Sequence, residues 1–188
     1  MPVPDGFFAL FKIPGISSAQ ELDMAKRVLG IDKAGFLGTL DVPAAGVLPI
    51  AVGAATKLIP YLPVVEKEYV GEMVLGLSTV TDDIVGEMIE RCGANNISDI
   101  AVRLAIEAVA ARDEQVPPHV SARRRDGIRG YDAVRKYGRY LEFPPSSVAV
   151  HKIEILRSTN DGDLRKVLLS MTVSPGFYVR AFCRDVGV

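Results

Sequence analysis

Consecutive apolar residues from Phe7 to Phe11, followed by Lys12, Pro14 and Gly15, predict a buried strand over 7–12 closed by a turn. A helix is expected next. Ser18 with Glu21 three residues on reads as a capping box, Leu22, Ala25, Val28 and Leu29 share one apolar face, and Gly30 supplies the stop. Apolar runs predict further strands over 47–52, 147–157 and 164–174, and alternation predicts a long strand over 66–76. Ser98 is placed to cap a helix over 99–112, and a short helix is expected after Gly53 and another over 131–137. Pro117 and Pro118 keep 115–121 extended.

Between these elements, 35–46 holds Gly35, Gly38, Gly46 and Pro43, too broken for helix or strand and unusually apolar for a surface loop. Strands separated by helices of unequal length, with no regular strand–helix repeat, argue for an α+β fold: a mixed, mainly antiparallel sheet flanked by helices. At 188 residues, with 48% hydrophobic and 24% charged positions, the chain suits one ordinary globular domain spanning 1–188. No repeat, low-complexity tract or linker interrupts it.

No apolar run approaches the roughly 18 residues that span a bilayer, and no basic stretch leads into a signal-like core, so a cytoplasmic protein is expected. Cys92 and Cys183 lack metal or redox spacing and read as reduced thiols. The net charge of −1 gives no global attraction for a polyanion. Locally, however, 123–139 sets seven arginine and lysine residues against Asp126 and Asp132, with Tyr131 and Tyr137 interleaved. Such a run is either a solvated face or a surface that neutralises nucleic-acid phosphates.

With two histidines, two isolated cysteines and no carboxylate cluster at ligand spacing, no metal site is proposed, and neither a P-loop nor a dinucleotide fingerprint is present. The expectation is side-chain acid–base or nucleophilic chemistry with no cofactor. Asp41 lies in the glycine-rich loop ahead of Val42 and Pro43, among small neighbours. Spacing alone leaves two readings: an aspartate bonded to its own turn, or a carboxylate a substrate can approach.

The stretch GFLGTLDVPAAGVLPIAVGAATK, from Gly35 to Lys57, resembles the nucleophile-bearing motif of the TruB family of pseudouridine synthases. Further stretches agree in the family's order: KEYVGEMVLG from Lys67, TVTDDIVGE from Thr79, QVPPHVSARRRDGIRGYDAVRKYG from Gln115 and SPGFYVRAFCRDVG from Ser174. The resemblance implies a pseudouridine synthase fold and isomerisation of a uridine flipped out of the tRNA T-loop, at tRNA position 55. Asp41 would be the nucleophile, Tyr69 the tyrosine that stacks on the base and accepts a proton late in the reaction, and Arg180 the arginine that pairs with the aspartate. Lys57, Tyr178, Arg123 and Arg124 are candidate substrate contacts, the last two through RNA phosphates. The partner is the tRNA T-stem-loop and the expected state a monomer. The 115–138 stretch favours the stand-alone bacterial branch over guide-RNA-dependent relatives.

Several positions depart from the family pattern. Phe36 stands where histidine is usual, a residue associated with the gap left by the flipped base; phenylalanine fills space there but cannot hydrogen-bond. Val42 replaces a proline and Phe177 a threonine. Val188 follows the Asp185-Val186-Gly187 match where the family continues, so the catalytic domain is expected to be incomplete at that end, without a C-terminal RNA-binding appendage. The rival reading is a noncatalytic T-loop-binding or tRNA-folding module of the same ancestry.

Overall fold

The computed structural model describes residues 4–63 and 65–188. The chain divides into two compact units, Met1–Pro63 and Val64–Val188. Every strand pairing among the described residues is antiparallel.

The first unit contains β1 (Gly6–Lys12), α1 (Ser18–Leu29), β2 (Ala34–Phe36), β3 (Gly46–Val52) and a 3₁₀ helix, Gly53–Tyr61. Its sheet runs β1-β3-β2, with β3 central and Phe8 opposite Ile50, Leu10 opposite Leu48. β1 is half-buried rather than buried throughout: Phe8, Leu10 and Lys12 turn inward while Phe7 and Phe11 are exposed, the alternation of a strand with one covered face. Leu22, Ile31, Leu48, Ile50 and Val52 form the core, with Phe8, Leu10, Ala34 and Phe36 against it. Two details of α1 differ from expectation. The capping box sits one residue earlier, with Ser17 accepting from the Gln20 N–H and the Gln20 side chain returning to the Ser17 N–H. The predicted apolar face also narrows, since Val28 is 84% exposed and Leu22 is the buried apolar residue of the helix. Gly30, in the left-handed region, ends the helix as predicted.

The second unit contains β4 (Lys67–Leu75), β5 (Leu77–Thr79), β6 (Met88–Arg91), α2 (Asp99–Ala110), β7 (Glu114–Gln115), β8 (Arg124–Arg125), β9 (Ile128–Arg129), α3 (Gly130–Tyr137), β10 (Ser146–Ser147), β11 (Val150–Asp161), β12 (Leu164–Val173) and α4 (Val179–Val186). Its main sheet runs β11-β12-β4. One face, carrying Met73, Leu75, Val167, Leu169, Met171 and Val173, shares a core with Val102, Ile106 and Val109 of α2 and Phe182 and Val186 of α4. Arg165, on that inner face, is satisfied by the Ser158 hydroxyl, the Ile97 carbonyl, the Asn160 side chain and the Asp99 carboxylate, tying the sheet to the Ser98-capped start of α2. At Gly76, where β4 turns into β5, φ is +92° and a Cβ would lie 2.5 Å from the Cys92 carbonyl oxygen, so only glycine fits.

Candidate active site

Asp41 is an exposed residue of the first unit, in the loop between β2 and β3. Its carbonyl accepts the Ala44 N–H at 3.1 Å, closing a turn over Val42 and Pro43. The loop is held from beneath by two side chains. Ser18, 2% exposed, accepts the Leu40 N–H at 2.9 Å and donates to the Leu40 carbonyl at 3.0 Å. Lys12, wholly buried, directs its ammonium to the carbonyls of Ile13, Val42 and Ala44 at 2.9, 3.3 and 2.7 Å. Burial pushes the Lys12 pKa below its ordinary value, while the charges of Glu21 and Asp41 pull it back up. The backbone on both sides of Asp41 is therefore fixed by side chains from β1 and α1. Phe36 lies in β2 opposite Ile50 and packs, partly buried, on the core; Lys57 is exposed on the 3₁₀ helix.

In the second unit, Tyr69 pairs with Met171 across β4 and β12 and packs, partly buried, against the core. Arg180 lies in the first turn of α4 with its side chain 12% exposed. Its guanidinium donates to the carbonyls of Thr81 at 2.6 Å and Val120 at 3.1 Å, and its Nε lies 3.9 Å from the Asp83 carboxylate. Asp83 shapes the β5–β6 connection, accepting from the Thr81 hydroxyl at 2.8 Å and the Val85 N–H at 3.1 Å. Tyr178, just ahead of α4, is held through its main chain: the buried Gln115 amide accepts its N–H at 2.8 Å and donates to its carbonyl at 3.0 Å. Phe177 stacks at a tilt on Phe182 with centroids 6.0 Å apart, anchoring the approach to the helix in the core. Asp82, beside Asp83, is paired with Arg184 at 3.0 Å, yet burial outweighs that pairing and raises its pKa above the ordinary value.

The basic segment folds as a hairpin and a helix. β8 and β9 pair with Arg124 opposite Arg129, and Asp126 and Gly127 turn between them at φ +53° and +79°, the two left-handed residues of a tight hairpin turn. Arg124 is exposed, while Arg123 is half-buried and accepts the Gly130 N–H through its carbonyl. Arg125 donates to the Glu142 carbonyl at 2.5 Å, and Arg129 bonds the Tyr131 hydroxyl and lies over its ring. Part of the positive charge therefore shapes the segment itself.

The sequence model of the TruB family pseudouridylate synthase N-terminal domain matches residues 26–179. The chain belongs to the TruB family. It is 36% identical over 182 residues to the tRNA pseudouridine synthase B of Moorella thermoacetica, covering 97% of this chain and 59% of the relative. With the tRNA pseudouridine synthase B of a Synechococcus species it shares 37% over 188 residues, covering all of this chain and 61% of the relative. The chain thus spans about three-fifths of the length of these relatives. Among solved structures, it resembles a chain of a Cbf5-Nop10-Gar1 complex with a TM-score of 0.67 at 25% identity, over 97% of this chain and 43% of that one. A chain of an H/ACA RNP bound to a substrate RNA gives 0.60 at 24% identity. The fold is the α+β pseudouridine synthase fold.

In this TruB-family chain, Tyr69, Tyr178, Arg180, Arg123 and Arg124 fall in the second unit, and Asp41, Phe36 and Lys57 in the first. Tyr178 and Arg180 sit together at the start of α4, Arg123 and Arg124 at the basic hairpin. Lys12, Gln115, Asp82, Asp83 and Arg184 were not singled out by sequence reasoning. Lys12 carries a signal, a charged residue at the inward position of an apolar alternation, which is costly unless it has partners. The paired aspartates of TVTDDIVGE, with Arg180 and Arg184 one helical turn apart, were visible only as individual charges.

Proposed function

We propose that this chain isomerises the T-loop uridine of tRNA, at position 55, to pseudouridine, with Asp41 as the nucleophile. Membership of the TruB family, through a motif that places Asp41 in a braced loop, carries the reading. In this scheme the Asp41 carboxylate attacks the target nucleoside, at the ribose C1′ or the base C6. The bond from N1 to C1′ breaks, the base turns, C5 bonds to C1′, and the bond to Asp41 is released, freeing the carboxylate. The C5 proton then leaves and N1 gains one, so the product is an isomer and no redox partner is needed. Tyr69 supports the base and takes part in that final proton removal. Arg180 is the arginine that pairs with the nucleophilic aspartate. The exposed Arg124, with Arg123 and Lys57, neutralises phosphates of the T-stem-loop; Phe36 fills the gap that the flipped base leaves in the T-loop, and Tyr178 lines the approach of that base. The chain acts as a cytoplasmic monomer.

Departure of the C5 proton supplies the assay. A T-arm hairpin tritiated at uridine C5 is expected to release tritium with the wild-type chain and not with Asp41→Asn. Retention of the hairpin by the wild type with no release would leave a T-loop-binding module in place of an enzyme. Equal release by both proteins would remove Asp41 from the mechanism.

A further inference from the structure

Arg180 and Arg184 lie four residues apart on α4 and therefore on one face, one turn apart. Their guanidinium groups reach the same two segments in the same sense. One terminal nitrogen of each meets the β5–β6 connection: Arg180 at the Thr81 carbonyl, 2.6 Å, and Arg184 at the Asp82 carboxylate, 3.0 Å. The other meets the extended segment after β7: Arg180 at the Val120 carbonyl, 3.1 Å, and Arg184 at the Val116 carbonyl, 2.9 Å. The Arg184 Nε donates to Asp185 at 2.9 Å, so all three nitrogens of that fork are engaged.

Arg184 holds carboxylates on Nε, from Asp185 at 2.9 Å, and on one terminal nitrogen, from Asp82 at 3.0 Å. Asp82 is also one of two non-glycine residues, with Asp126, described at positive φ, here +58°. A non-glycine residue keeps that backbone conformation where its contacts over-determine it, and the bond of the Asp82 carboxylate to Arg184 is such a contact. Asp82 lies between Thr81 and Asp83, both of which meet Arg180.

We propose that Arg184 is a positioning residue for Arg180: by clamping Asp82 and Val116 it fixes the two segments whose Thr81, Asp83 and Val120 oxygens orient the Arg180 guanidinium. The catalytic consequence rests on the proposed isomerase reading; the geometric one does not.

The test uses the whole chain labelled with ¹⁵N-arginine, the Arg180 Nε–H signal being assigned through Arg180→Lys. Arg184→Ala is expected to shift this signal and speed its exchange with water, and Asp82→Asn, nearly isosteric, to act in the same direction. Arg184→Lys, which can still reach Asp82, is expected to restore part of the wild-type behaviour. Single-turnover isomerisation should fall by about tenfold to a hundredfold in Arg184→Ala with hairpin affinity unchanged, since misplacement costs rate before binding. An Arg180 signal identical to wild type in Arg184→Ala and Asp82→Asn would overturn the proposal, as would equal losses of rate and affinity. If Arg184→Ala does not fold, Asp82→Asn decides the matter alone. If the wild type lacks isomerase activity while the Arg180 signal moves as expected, the clamp stands and the functional reading falls.

Discussion

Replacing Lys12 by methionine keeps the length and apolar stem of the side chain but removes an ammonium that holds the Ile13, Val42 and Ala44 carbonyls. Val42 retains a partner, since its carbonyl also accepts the Gly15 N–H at 2.8 Å. Ile13 is exposed, so water can replace the lysine there. Ala44, half-buried and with the shortest of the three hydrogen bonds, is the carbonyl most affected. One unsatisfied acceptor costs about 1–3 kcal/mol, and relief from burying a charge offsets the weaker losses at Ile13 and Val42, leaving a net destabilisation of about 1–3 kcal/mol. At this chain length that corresponds to a fall in Tm of about 2–12 °C. Thermal and urea unfolding measure it, and native-state amide exchange localises it: the Gly15 and Ala44 N–H groups should exchange faster. pH supplies a sign. Because burial lowers the Lys12 pKa below 10.5, the unfolded chain holds more protons than the native one between the native pKa and 10.5. Wild type therefore gains stability relative to Lys12→Met as pH rises through that window. An unchanged Tm with unchanged exchange at Gly15 and Ala44 would refute the bracing role.

Three further outcomes are expected. Gly130→Ala places a Cβ 2.3 Å from the His119 carbonyl oxygen and 3.1 Å from the Ser121 nitrogen; the backbone shift required should cost about 1–3 kcal/mol in urea unfolding, and wild-type stability would contradict the close approach. The Cys183 thiol is pushed up to about 12, chiefly by burial, so iodoacetamide at neutral pH should label the exposed Cys92 and spare Cys183 until the protein is denatured. Arg123→Ala with Arg124→Ala should weaken T-arm hairpin binding and flatten its dependence on log salt by about one for each phosphate no longer neutralised, read by titration at several salt concentrations. An unchanged slope would remove both arginines from the RNA surface.

The strands with clear alternation or an apolar run, Gly46–Val52, Lys67–Leu75 and Leu164–Val173, were legible because their periodicity survives in the fold. So was the helix opened by Ser98. At α1 the cap falls one residue earlier than the pattern suggests because Ser17 and Ser18 both match a cap; the first takes it, freeing the second to bond Leu40. Val28 fits the helical stripe yet stays exposed, since a pattern does not state how wide a face is covered. The Asp126-Gly127 pair is a tight-turn signal, but the strands it joins are arginine-rich and two residues long each, too short and too charged to show a strand pattern. α4 is not legible because only Ala181, Phe182 and Val186 of its eight residues are buried, and the partners of Arg180 and Arg184 come from segments far away in sequence. Asp41 was identified by its motif, whereas the bracing of its loop needs β1 and α1 in place.

Isomerisation of the T-loop uridine through Asp41 is most directly tested by chemical mapping of pseudouridine in a tRNA transcript after incubation with the purified 188-residue chain or with Asp41→Asn. Pseudouridine is expected at the T-loop uridine with the wild type and nowhere with the variant; its appearance with both proteins, or with neither, would contradict that mechanism.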